Sequence, residues 1–398
     1  MQIGVLTLWQ SKDNYGQMLQ CYALQQYLRE KEHNPFLISY KFIKAERQYT
    51  SLWKMLLKVY VIYPLVSLFG MCVEKRRLAN EEFEKYRHEK KRKFEDFLKK
   101  NIKMSETYNN LADLQKNPPI ADCYIVGSDQ VWAQLLSKPE NLAFYLDFGG
   151  EDVRRIAYAA SFSMNEYPEN LKPKLAENLS RFDAVSVRET QGVEICKSVG
   201  IKAAKVVDPT LLLGANAFEN LAEKRLISDR YAYVYQLNIE SPDEICWDET
   251  LAFCHENSLS AIATASSGYF DGSEILKGAK YIYPSIEEWF SLIKYSEIVI
   301  TTSFHGIVFS ILFRKNFVYV PLNGTHSGGN ARVLNLLSDL DIEEKCVSDG
   351  RTFNEVASFE IDYSKCNMLL KEKVAESASF LLNAINLYKN ANIKKCRF

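Results

Sequence analysis

The chain has 398 residues, 47% of them hydrophobic, with 49 basic against 50 acidic side chains and a formal net charge of −1. A chain this long and apolar can bury two cores, and so even a charge balance argues against a dedicated nucleic-acid binder. Nine dispersed cysteines with no C-x-x-C and no Cys/His metal spacing argue against a disulfide framework and fit reduced thiols in a cytoplasm.

Gln2–Trp9 reads as a first strand, since the opening MQIGVLTLWQ lacks the charged region and cleavage site of a signal peptide. The loop Gln10–Gly16 leads into a helix from Gln17 to about Lys31, so Asn14, Tyr15, Gly16 and Gln17 lie at a strand-to-helix turn. Pro35–Tyr40 follows as a second strand. No G-x-G-x-x-G accompanies this β–α–β opening, which argues against a dinucleotide site. From about 43 to 108 the rhythm breaks. Leu52–Val73 is apolar but interrupted by Lys54, Lys58, Pro64 and Gly70, too broken to span a bilayer. Glu74–Lys103 is dense in both charges, with Phe83, Tyr86, Phe94 and Phe97 interleaved. Two readings of this helical, partly basic insertion stay open. One is a peripheral membrane contact through about 52–103; the other is packing on its own domain or on a second copy in a homo-oligomer.

Alternation resumes with a strand at Asp122–Val126 and the turn Gly127, Ser128, Asp129, where Asp129 reads as a helix N-cap ahead of a base. Strands at Arg155–Ala160, ending at Ser161, and at Ala184–Val187, ending at Arg188 and Glu189, come next. After Ala204–Val207, the segment Asp208-Pro209-Thr210 marks a switch into a second domain. Two α/β domains are expected, 1–205 and 206–398. The second carries strands at Tyr231–Gln236, Ser260–Thr264, Ile298–Ile300 and Asn316–Pro321. Its helices are Asp243–Asn257, Ser285–Tyr295 and Ala331–Asp339, the last preceded by the Gly-rich loop Thr325–Gly329. A long helix from Lys365 to about Tyr388 ends the chain.

The stretch Glu297–Phe313 carries the sharpest chemical signal. A buried strand runs into Thr301, Thr302, Ser303, Phe304, His305 and Gly306, and then into an apolar helix. Turns at the carboxyl ends of strands are where open α/β sheets bind ligands, and the N–H groups of the next helix suit an anion. His305 is the one histidine of five at such a junction, placed to move a proton. Arg188 and Arg332 read as carboxylate or phosphate clamps, or as salt bridges to Glu189 and Asp339.

At these same residues the chain resembles the polysaccharide pyruvyl transferase family. The matching pieces are NYGQMLQCYAL (14–24), YIVGSDQVW (124–132), RIAYAASF (155–162), VSVRE (185–189), VVDPTLLL (206–213), TTSFHG (301–306), FVYVPL (317–322) and NARVLNLL (330–337). The resemblance implies a GT-B-like fold, two Rossmann-type domains with parallel sheets facing a central cleft. It also implies transfer of a pyruvyl group from phosphoenolpyruvate to two hydroxyls of a sugar, free or lipid-linked, giving a ketal. No metal or other cofactor is expected, and the setting is cytoplasmic, at the inner face of a membrane. His305 would handle the proton and Arg188 the donor carboxylate, with Ser303, Gly306, Asn330 and Arg332 completing the donor site. Asn14, Tyr15, Gly16, Gln17, Ser128, Asp129 and Ser161 would line the acceptor side or cleft. The chain departs from the family in one place. Many relatives have S-R-L-H-G, and Ser303 stands at the arginine position. The replacement cation is expected from Arg332, with Lys315 or Arg314. Two rivals use the same architecture: a nucleotide-sugar glycosyltransferase and a catalytically silent, membrane-apposed assembly protein.

Overall fold

The computed structural model describes residues 1–10, 13–41, 92–133, 135–136, 138–266 and 274–395, without the side chains of 325–326 and 387–395. Leu52–Val73, and the part of Glu74–Lys103 that precedes Arg92, lie outside the described residues, as does the reading of a membrane contact there.

The chain forms two parallel sheets. The first takes β1 (Gln2–Leu6), β2 (Asn34–Tyr40), β3 (Met104–Tyr108), β4 (Cys123–Val126), β5 (Arg154–Ala160), β6 (Ala184–Val187) and β7 (Ala203–Lys205), in the order β3-β2-β1-β4-β5-β6-β7. The second takes β8 (Tyr231–Gln236), β9 (Ser260–Ala265), β10 (Lys280–Tyr281), β11 (Ile298–Thr301) and β12 (Asn316–Tyr319), in the order β10-β9-β8-β11-β12. The central strands are apolar on both faces, as parallel strands covered by helices must be. Every residue of β4, β8 and β11 is buried.

Strand order reverses between β1 and β4 in the first sheet and between β8 and β11 in the second. Such switch points open a crevice at the strands' carboxyl ends. The turn at Asn14–Gln17 and the turn Gly127–Asp129 flank the first crevice, and Thr302–Gly306 sits at the second. The sequence therefore places its candidate residues where the topology leaves room.

Three local expectations change. The segment to 108 is not wholly an insertion, because its last five residues form β3, which pairs with β2 at the sheet edge. The helix expected over Asp243–Asn257 is broken at Cys246, whose left-handed φ of 52° separates a 3-10 turn at Pro242–Ile245 from the helix Trp247–Glu256. The last helix spans Tyr363–Lys395.

That helix leaves the second half of the chain for the first. Near its start, the Tyr363 hydroxyl donates to the Lys315 carbonyl at 2.6 Å. Further along, Ser377 Oγ accepts the Val207 N–H at 2.9 Å, and Leu381, Ala384 and Ile385 pack with Ile3, Val5 and Ile156. At the opposite side, Tyr15 of the helix Tyr15–Glu30 stacks on Trp289 of the helix Ile286–Lys294, 4.9 Å between centroids, and its hydroxyl donates to the Pro284 carbonyl at 2.6 Å. The two halves share a continuous apolar cluster there. No helix among the described residues is long and apolar enough to cross a membrane.

Candidate active site

The turn after β11 is fixed by its own hydroxyls. Thr301 Oγ1 donates to the Tyr235 carbonyl at 2.7 Å and accepts the Ser303 N–H at 3.0 Å. Ser303 caps the helix Phe304–Leu312, its Oγ accepting the Gly306 N–H at 3.4 Å. Gly306 must lack a side chain, because a Cβ would lie 2.6 Å from Thr301 Oγ1. An anion on the Gly306 N–H is therefore corrected: that donor is spent on Ser303. The first-turn N–H groups of Phe304 and His305 have no intrahelical acceptor.

His305 is 7% exposed and wedged between the halves. A Cβ on Gly16 would lie 2.1 Å from Nδ1, so the N-Y-G-Q turn uses glycine to admit the imidazole. Nε2 is buried without a hydrogen-bond partner, 3.7 Å from Asp208 Oδ1. A ring held this way turns Nε2 toward the Asp208 carboxylate without committing it to a hydrogen bond.

Asp208, read from the sequence as a domain switch, is the centre of the site. Its Oδ1 accepts the Thr210 N–H at 3.0 Å and the Thr210 hydroxyl at 2.7 Å, while Oδ2 accepts the Ser128 hydroxyl and Arg188 Nη1, each at 2.8 Å. Burial alone would raise its pKa. The His305 imidazole, the Arg188 guanidinium and the Thr210 N–H overcome this and hold it far below the usual carboxylate range. With both oxygens committed, Asp208 is a fixed anion and no base. The clue in the sequence was Asp-Pro at a strand end, a helix N-cap ahead of a proline.

Arg188 thus pairs with Asp208 and with neither Glu189 nor Asp339. Its Nε and Nη2 are buried without partners, Asp129 Oδ1 lies 3.9 Å from Nη2, and its guanidinium carbon stands 4.7 Å from the Phe304 ring centroid. Arg332 approaches the same ring at 6.0 Å. Its expected partner Asp339 binds Lys205 at 2.6 Å, and Arg332 Nε donates to the Gly329 carbonyl at 3.3 Å. Burial and the neighbouring Arg188 charge lower the Arg332 pKa to about 10. Arg188, Asp208, Phe304, Arg332 and Lys373 line a cavity of about 190 Å³. Its two incompletely paired guanidiniums suit an oxyanion.

The other expected residues divide by their contacts. Asn14 caps the helix Tyr15–Glu30, accepting the Gln17 N–H at 3.2 Å, and the Gln17 carbonyl in turn accepts Gln20 Nε2 at 2.9 Å. Asp129 is not a helix cap: its φ is +78°, its carbonyl accepts the Ser161 N–H at 3.0 Å, and its side chain faces Arg188. Ser161 Oγ donates to Glu189 Oε1 at 2.9 Å, which leaves Glu189 Oε2 buried without a partner. Asn330 is corrected from donor ligand to brace, since Oδ1 accepts from Tyr319 and Leu322 and Nδ2 donates to the Leu322 carbonyl. Arg314 and Lys315 are corrected as well. They follow the nine-residue helix that leads away from the turn, about 13 Å at about 1.5 Å per residue, and Lys315 lies by Glu297 at the start of β11. Among the described residues no three metal-ligating side chains converge.

The family model described as polysaccharide pyruvyl transferase matches residues 14–323. Comparison with curated proteins gives no match. Among solved structures, a putative UDP-N-acetylglucosamine 2-epimerase from Listeria monocytogenes is 9% identical over 98% of each chain, with a TM-score of 0.50. Staphylococcus aureus MnaA with UDP is 12% identical over 98% of this chain and 96% of its own, at 0.49. The UDP-GlcNAc 2-epimerase of Methanocaldococcus jannaschii is 11% identical over 96% and 93%, at 0.46. At these identities the likeness is one of fold, and the fold is GT-B-like.

Proposed function

Because the chain belongs to the polysaccharide pyruvyl transferase family, and so is a transferase, we propose that it moves a pyruvyl group from phosphoenolpyruvate to two hydroxyls of one sugar in a polysaccharide precursor. The observation that carries this reading is the unpartnered Nε2 of His305, held between Gly16 and Asp208 beside the cavity of Arg188, Phe304 and Arg332. Phosphoenolpyruvate brings a phosphate and a carboxylate, and Arg188 and Arg332, both near the Phe304 ring in one cavity, offer the N–H groups to hold them. Ser303 is occupied as a helix cap, so the cationic duty at this turn falls to that pair.

His305 Nε2 gives its proton to the methylene carbon, which leaves the adjoining carbon electron-poor. One sugar hydroxyl adds there and its proton restores the imidazole; phosphate leaves with the C–O bond pair, and the second hydroxyl closes the ketal, its proton ending on the departing phosphate. Asp208, ionised and immobile, stabilises the protonated imidazole without competing for the proton. No cofactor enters these steps.

The test pairs acceptor-dependent phosphate release from phosphoenolpyruvate with mass spectrometry of a panel of lipid-linked and free glycans. We expect one glycan to gain the mass of a pyruvyl ketal, and His305→Gln to lose at least about a thousandfold in rate while keeping its circular dichroism spectrum. Full activity in His305→Gln, or release of a nucleoside diphosphate from a sugar nucleotide in its place, overturns the proposal.

A further inference from the structure

Arg92, just ahead of the helix Phe94–Asn101, is 2% exposed, yet its Nη1 and Nη2 are buried without a hydrogen-bond partner. It forms no salt bridge to a carboxylate among the described residues. Its guanidinium carbon stands 5.8 Å from the Tyr15 ring centroid and 5.0 Å from that of Tyr283. The two rings, and the Tyr15 hydroxyl whose pKa burial pushes up and Arg92 pulls part of the way back, compensate part of the charge, but among the described residues no carboxylate or carbonyl accepts from either Nη. A buried arginine in that state is costly unless an anion completes it, and its fork fits a carboxylate or a phosphate.

The position of Arg92 gives this a direction. Tyr235 stands near the end of β8, Ser266 follows β9 and Tyr283 follows β10, so the arginine faces the carboxyl edge of the second sheet. The Tyr235 hydroxyl donates to Ser266 Oγ at 3.0 Å, and the ring lies 5.7 Å from that of Tyr15. Tyr283, half-buried, opens the nest to solvent. The start of the helix Tyr15–Glu30 joins the two places: the Tyr15 ring meets Arg92, and the next residue, Gly16, abuts His305 Nδ1, whose Nε2 is turned toward Asp208. Donor occupancy of the Arg188–Arg332 cavity then leaves the Arg92 nest, one residue along that helix start from the histidine contact, to the acceptor.

We propose that Arg92 anchors an oxyanion carried by the acceptor sugar, a phosphate ester or a carboxylate, with Tyr15, Tyr235 and Tyr283 walling the ring beside it. The word acceptor rests on the pyruvyl-transfer reading; the anion site does not. The anion arms are therefore read by calorimetry on the full chain without donor, using galactose 1-phosphate, galacturonic acid and methyl galactoside as probes. We expect one of the two anionic probes to bind at least tenfold more tightly than the neutral glycoside; which one does so tells phosphate from carboxylate. Arg92→Gln should abolish that preference and Arg92→Lys should keep part of it. Equal binding of all probes, or an unchanged preference in Arg92→Gln, overturns the anion site. Should Arg92→Gln fail to fold, hydrogen exchange on the wild-type chain decides: the anionic probe must protect Phe94–Asn101 and Lys280–Tyr283, and absence of protection there overturns the site. With phosphoenolpyruvate present, Arg92→Gln should raise the acceptor KM and leave the donor KM unchanged; a raised donor KM overturns the acceptor assignment. A chain that binds the anion through Arg92 but transfers no pyruvyl group retires the reaction and keeps the site.

Discussion

A Cβ at Gly16 would lie 2.1 Å from His305 Nδ1, closer than any side chain can stand. Gly16→Ala should therefore push the imidazole off its position by about an ångström or more, and misplacement on that scale costs catalysis about a hundredfold. We expect kcat to fall by that order while the urea midpoint shifts modestly, both measured on the same preparation. Asp208 should behave in the opposite way, as a residue of stability. Asp208→Asn takes from the buried Arg188 its hydrogen-bonded counter-charge and leaves only Asp129 at 3.9 Å, a loss approaching about 3 kcal/mol. The pH dependence carries the same signature. The folded carboxyl stays ionised far below its ordinary range, whereas the unfolded one takes a proton near pH 4. The unfolded chain thus binds the extra proton on acidification, so stability present at neutral pH drains away as pH falls from about 4. Urea unfolding between pH 5 and 2.5 should show a steep decline in the wild type and a shallower one in Asp208→Asn. Parallel slopes would remove Asp208 from the acid response.

Elements were legible to the extent that each one's own residues decide it. β8 and β6 fall on Tyr231–Gln236 and Ala184–Val187 as their apolar runs predict, because strands buried on both faces carry an uninterrupted signal. β3, with the sequence MSETY, is an edge strand with two exposed residues, and β10 is two residues long, so neither has an apolar run to read. The candidate site divides along the same line. Strand-end turns mark His305, Gly16 and Arg188, since their position depends on local pattern. The partner of Arg188 depends on tertiary geometry: Asp208 lies twenty residues on, beyond β7, and only the folding of both segments brings its carboxylate to the guanidinium. Asn330 misled for a related reason. An asparagine beside a glycine loop looks like a ligand residue, and its amide proves to be bonded to Tyr319 and Leu322. Arg92 lies within the charged stretch Glu74–Lys103, where nothing local sets it apart from its basic neighbours; what distinguishes it is the pair of rings that tertiary structure brings to it, Tyr15 from its own half and Tyr283 from the other.

At the scale of the molecule, the last helix is a rod of 33 residues, about 50 Å at about 1.5 Å per residue, anchored in both halves. Removing it after Asp362 would expose Ile3, Val5 and Ile156 of the first sheet, which pack against Leu381 and Ile385. Losing several such contacts costs about 2–5 kcal/mol for each large side chain, more than a marginally stable sheet can absorb. Hydrogen exchange on the truncated chain should show β1 and β5 unprotected while β8 and β9 keep their protection. Uniform protection would mean that the helix is dispensable.

The chain passes between its halves twice, once through Val206–Asp208 and once along that rod, and the two passages touch where Val207 meets Ser377. A body tied to another at one point can swivel like a ball in a socket; a second tie reduces the freedom to that of a door. Asp208 sits in the jamb. Any opening that admits a bulky glycan must then part the contact opposite, where Tyr15 stacks on Trp289 and bonds to Pro284, while Asp208 and Arg188, near the two passages, travel least. The wall that gives way first would be the one made of Tyr15 and its partners, the wall that faces the sugar.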